Sequence, residues 1–160
     1  MGAPPDLWVP DVLGPGFRCR TVALGPGSVP HSTATVVRHR PDDRPAPGAA
    51  PRDAVLYLHG WSDYFFNAEL ARTCAAAGYA FYALDLHGYG RNLTDEVLAV
   101  EEGRRGHTTD LADYDDDIAA ALGVMAEDGL PGPRGRLVLM GHSTGGLTAA
   151  LWAARHPGRL

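Results

Sequence analysis

Ser143 lies in the run Gly141-His142-Ser143-Thr144-Gly145, between the apolar stretch RLVLM and the small-residue stretch GLTAALWAA. A serine there has the G-x-S-x-G spacing of a strand-to-helix elbow, which lifts the hydroxyl to the top of the turn as a nucleophile for acyl transfer. The elbow needs a strained backbone at the serine, and side chains two positions to either side would collide, so Gly141 and Gly145 are expected to be there for lack of a Cβ. The backbone N–H of Thr144, at a helix N-terminus, is a candidate oxyanion donor. The alternative is a Gly-rich turn in which Ser143 only caps the helix.

An activated serine requires a histidine to take its proton and a carboxylate to orient that histidine. After Ser143 the sequence contains no Asp or Glu and one histidine, His156. His156 falls at the far end of the helix behind the serine, where it cannot return to the hydroxyl. Upstream, His59 and His87 precede glycines at strand ends and read as structural histidines. His142 neighbours the nucleophile, but adjacent side chains on such a turn diverge. His59 with Asp63 or Asp85 is a less direct grouping.

Asp85 reads as an anchor for the loop that follows it. DYDDDI, residues 113–118, has the look of a metal cluster; acidic residues at a helix start favour the macrodipole, and a solvated face is the expectation. Trp61, Tyr64, Phe65 and Phe66 either line an acyl pocket or pack their own loop. No metal and no cofactor are called for.

The elements that must carry these residues follow from periodicity. FRCRTVAL and STATVVRHR alternate, are rich in β-branched residues and flank GPGSVP, which predicts an antiparallel pair. A Pro/Gly-rich loop comes next, and from residue 54 short apolar strands (AVLYLHG, YAFYALDLHG, RLVLMGHS) alternate with helical segments. Unbroken apolar strands separated by helices imply parallel crossovers. The expected class is α/β: a mixed, mostly parallel doubly wound sheet with an antiparallel N-terminal strand pair. It forms one domain over 1–160, with residues 1–16 flexible and 17–160 as core.

Three motifs in order (LYLHGWSDY, ALDLHGYGRN and GHSTGG) resemble the α/β-hydrolase family. The D-x-H-G-x-G-R form over Asp85 to Arg91 is similar to the serine aminopeptidase-like and monoacylglycerol lipase-like (lysophospholipase-like) branch. The resemblance implies a serine hydrolase of carboxylic esters, lipid-like or small, working through an acyl-enzyme on Ser143, with Trp61 supplying the second oxyanion N–H. An acyltransferase of the same fold is an alternative. It also implies an enzyme of roughly twice this length, with acid, base and lid further on. The chain is therefore expected to be an N-terminal part of such a protein, or a non-catalytic half-domain whose strand edge and apolar helix face are left exposed.

Composition narrows the partners. A formal charge of -5, with 14 basic residues that are all arginine, gives no electrostatic footprint for nucleic acid. Cys19 and Cys74 are far apart and have no CxxC partner, which suits a reducing cytoplasm. No run is long enough to cross a bilayer, and no secretory signal or myristoylation pattern opens the sequence. The expected ligand is a small-molecule ester, and oligomeric state is left open.

Overall fold

The computed structural model describes residues 7–25, 33–41, 53–95, 98 and 106–159. The GPGSVP turn and most of the Pro/Gly-rich loop fall outside them. Six strands form one mixed sheet: β1 (Val9–Pro10), β2 (Phe17–Ala23), β3 (Thr33–His39), β4 (Ala54–Leu58), β5 (Ala80–Asp85) and β6 (Leu137–Gly141), in spatial order β1-β2-β3-β5-β4-β6. β1, β2, β3 and β5 pair antiparallel in turn, while β4 pairs parallel with both β5 and β6.

Three helices cover the sheet: α1 (Ala68–Ala76), α2 (Asp115–Glu127) and α3 (Thr144–Arg155). Asn67 caps α1 by accepting from the Leu70 N–H, and Gly78, at φ +88°, turns the chain out of it. A 3₁₀ turn over Leu111–Tyr114, capped by Asp110, leads into α2. Leucine, isoleucine and methionine at helical spacing in this stretch are why it folds as a helix.

The two faces of the sheet bury different clusters. Phe65, Ala71, Cys74 and Phe81 pack under α1 on one face. Leu56, Leu58, Ile118, Met125, Ala149 and Trp152 pack under α2 and α3 on the other. Single β-strands buried on both faces account for the unbroken apolar runs of β4 and β5.

Within residues 1–16, expected to be flexible, the described part instead buries two side chains, Trp8 and Asp11, while Leu7, Val9 and Val12 are exposed. Trp8 is buried and its ring lies under the Arg38 guanidinium, 4.0 Å away. Asp11 is bound through both carboxylate oxygens to Arg91, at 2.7 and 2.9 Å. A two-residue strand and an ion pair eighty residues apart leave no periodic signal in a sequence.

At the far end of β3, His39 is 7% exposed, stacked on Phe17 with ring centroids 4.5 Å apart, and its Nδ1 finds no hydrogen-bond partner. Burial, and then the charge of Arg72, hold its pKa below the ordinary imidazole value. The unfolded chain therefore binds the proton more readily than the fold, so stability is complete above the unfolded pKa of about 6.5 and falls as pH drops through the lower folded value. Urea midpoints measured from about pH 8 to pH 5 should decline through this window, and His39→Phe should flatten that part of the decline.

β6 is the edge strand of the described sheet, with Val138 36% exposed. Leu147 and Leu151 of α3 are also exposed.

Candidate active site

β4 and β6 end side by side: Leu58 pairs with Gly141, and the next amide, His142 N–H, donates to the Leu58 carbonyl at 3.1 Å. The loops after the two strands, His59-Gly60-Trp61 and His142-Ser143-Thr144, are therefore in contact. A Cβ added at Gly60 would lie 3.3 Å from the Cβ of Ser143.

Ser143 has φ +54° and ψ -121°, a conformation outside the regions open to L-residues at low energy. It occupies the N-cap position of α3 without making a side-chain cap hydrogen bond. The hydroxyl is thus not spent on capping, and the residue is exposed. Gly141 and Gly145 make the turn sterically feasible. A Cβ at Gly141 would fall well inside 3.0 Å of the Gly145 and Gly146 backbone, and one at Gly145 would meet the Leu58 and His59 carbonyls equally closely.

Thr144 is the first residue of α3, so its N–H is one of the donors a helix leaves without an internal acceptor. Trp61 stacks edge-on against Tyr89 at 6.2 Å, and Tyr89 stacks on His59 at 4.9 Å. A small cavity between Trp61, Tyr89, Tyr114, Thr144 and Thr148 lies where these loops meet.

The histidines divide clearly. His59 is buried; the Leu86 N–H donates to its Nε2 at 3.1 Å, so Nδ1 carries the proton and donates to the Gly60 carbonyl at 2.8 Å. Both nitrogens are engaged by backbone, and the grouping of His59 with Asp63 or Asp85 is not formed. His87 contacts buried Asp117, 2.8 Å from Nδ1 to the carboxylate. His156 ends α3, and at ~1.5 Å rise per residue it stands roughly 20 Å along the axis from Ser143. It bonds Asp115 at 3.1 Å. His142 is exposed and lies 3.9 Å from Asp63.

Asp85, wholly buried, anchors its loop as the sequence suggested. Oδ1 accepts the Phe65 N–H at 2.8 Å, and Oδ2 accepts the Arg91 N–H at 3.1 Å and the Arg91 guanidinium at 2.8 Å. The first and last residues of D-x-H-G-x-G-R thus close on each other. For the Arg91 guanidinium, burial acts to lower the pKa, but Asp11 and Asp85 outweigh it and hold the group charged.

The acidic run 113–118 is only in part the solvated face expected from sequence: Asp113 and Asp116 are exposed. Asp117 is wholly buried, and burial raises its pKa despite His87; Asp115 pairs with Arg155 as well as His156. The chain returns these carboxylates to partners distant in sequence, which spacing alone does not reveal. Of the four aromatics left open between pocket and packing, Phe65 is core, 1% exposed, while Trp61, Tyr64 and Phe66 are exposed at the mouth of the site.

A strand-turn-helix elbow carrying a free serine, set beside a His-Gly loop on a doubly wound mixed sheet, is the arrangement of an α/β-hydrolase. The family model described as serine aminopeptidase, S33, matches residues 49–160. The chain belongs to that family.

Among curated relatives, the monoacylglycerol lipase of Mycolicibacterium smegmatis is 33% identical over 113 residues, covering 70% of this chain and 36% of the relative. Lysophospholipase L2 of Escherichia coli K12 is 34% identical over 95 residues, covering 59% and 26%. The chain therefore spans about a third of the length of these relatives or less. The solved structure of a cold-adapted esterase from an Arctic intertidal metagenomic library superposes with a TM-score of 0.58 at 22% identity, covering 96% of this chain and 61% of that one, a likeness of fold. No helix among the described residues is long and apolar enough to cross a membrane.

Proposed function

We propose that Ser143 is the nucleophile of a serine hydrolase that cleaves carboxylic esters, lipid-like or small, through an acyl-enzyme. The observation that carries this reading is the positive φ of Ser143 combined with a hydroxyl that makes no cap bond. Strain of roughly 1–3 kcal/mol is retained where a function needs the geometry, and a capping serine would not need it. The lipase and lysophospholipase names of the relatives support an ester as the substrate class.

In this mechanism the Ser143 Oγ attacks the ester carbonyl, and the N–H groups of Thr144 and Trp61 receive the oxyanion. The alcohol leaves, and water releases the acid from the serine in a second step. His39, His59, His87 and His156 are buried, bonded elsewhere or far along α3, so none of these four is placed to take the Ser143 proton. Transfer of the acyl group to an acceptor other than water uses the same first step. The two free cysteines suit a reducing, cytoplasmic setting.

A fluorophosphonate probe applied to the native enzyme in the cells that make it should modify Ser143 and no other residue of the chain. Absence of label from an elbow peptide recovered intact would sink the assignment.

A further inference from the structure

We propose that the cavity lined by residues 63–67 with Tyr57 and His142 is a subsite for a small organic cation of the methylated-ammonium class. The cavity measures about 160 Å³, on the order of five water volumes at ~30 Å³ each. It lies on the His142 side of Ser143, whereas the smaller cavity beside the proposed oxyanion donors is lined by Thr144. The ester mechanism makes no use of it.

Charge and ring faces agree on the occupant. Asp11, Asp53, Asp85, Asp115 and Asp128 each hold an arginine. Asp63, whose side chain is 24% exposed, has none within ion-pair distance among the described residues. Its Oδ1 accepts the Tyr64 N–H at 2.8 Å, and its Oδ2 lies 3.9 Å from Nδ1 of His142, which lines the same cavity. The Tyr57 phenol, which also lines the cavity, has its pKa raised by burial and then by the Asp63 charge.

Tyr64 and Phe66, 44% and 58% exposed, sit with ring centroids 5.6 Å apart and tilted by 54°. Tyr64 already carries one cation, the Arg91 guanidinium 5.8 Å from its ring centroid. A carboxylate with four aromatic side chains lining a few-atom cavity matches a weakly hydrated ammonium, which gives up little water and gains the charge and the aromatic neighbours. A strongly hydrated metal ion needs several oxygen ligands, and one carboxylate does not supply them.

The subsite extends the ester-hydrolase reading, on which its place in catalysis rests, but its occupancy does not depend on Ser143. The test is a titration of the protein with tetramethylammonium chloride at about pH 8, where an ordinary imidazole is uncharged, followed by saturation-transfer NMR against sodium chloride of equal ionic strength. Tert-butanol, which has the same number of heavy atoms and no charge, is the comparison.

Tetramethylammonium should bind about fivefold or more tightly than tert-butanol, and Asp63→Asn should remove that preference while leaving tert-butanol unaffected. Asparagine keeps the acceptor for the Tyr64 N–H; should that variant nonetheless lose its native circular dichroism, Phe66→Leu decides, with a loss of about threefold for the cation alone. Equal binding of the two probes, or a cation affinity indifferent to both substitutions, overturns the proposal. Ser143→Ala should bind the cation as the unaltered protein does, so failure of the subsite and failure of the nucleophile assignment are told apart.

Discussion

Replacing Ser143 by glycine is expected to raise stability while abolishing acyl transfer. The residue's φ of +54° costs a serine roughly 1–3 kcal/mol. Glycine adopts that conformation without strain but loses roughly 0.5–1 kcal/mol more on folding through its freer unfolded chain. Strain wins, and the variant should gain about 1 kcal/mol, read as a melting temperature higher by roughly 2–4 °C. Its kcat for ester cleavage, measured in the complete catalytic assembly, should fall on the order of 10⁶-fold, as expected when a nucleophile is removed from a coupled serine-histidine unit. Ser143→Ala should lose as much activity without the gain in stability, because alanine keeps the Cβ. A glycine variant that melts lower would show that the serine is not strained, and an alanine variant that still turns over would show that it is not the nucleophile.

Gly145→Ala should cost about 4 kcal/mol or more, a large share of the ~5–15 kcal/mol that holds a domain folded. The added methyl group would collide with the carbonyl oxygens of Leu58 and His59, which are backbone of the central strand and its loop and have no rotamer to escape into. One residue further on, a Cβ at Gly146 would find only the Gly141 carbonyl, at an ordinary 3.4 Å. Gly146→Ala, inside α3, should therefore be neutral or gain up to about 1 kcal/mol from helix propensity. The two alanine variants differ by a single position, so chemical denaturation of both measures the close approach and not glycine replacement in general. Equal effects at 145 and 146 would refute the close packing of α3 on β4.

The order of elements from β2 onward was legible because both periodicities are strong: alternation in β2 and β3, unbroken apolar runs in β4 and β5, helical spacing in α2. The elbow was legible because a serine flanked by glycines between a strand and a helix is a local pattern. What the sequence concealed depends on contacts between distant residues. Trp8 under Arg38, Asp11 on Arg91 and Asp117 on His87 each join parts of the chain whose proximity only the folded sheet creates. The same limit applies to His59, whose two backbone bonds remove it from candidacy as a base.

The sheet order has a consequence for where ligands can sit. From β4 the chain winds through α1 to β5 on one side, then recrosses beneath β4 through α2 to reach β6 on the other. The two crossovers leave β4 in opposite directions and on opposite faces, so the connections above its carboxyl end diverge and a crevice opens between them. His59, Gly60 and Trp61 form one lip of that crevice and Ser143 the other. The reversal of winding creates the opening before any side chain is chosen, and the glycines and the strained serine are adaptations to a gap that the topology supplies.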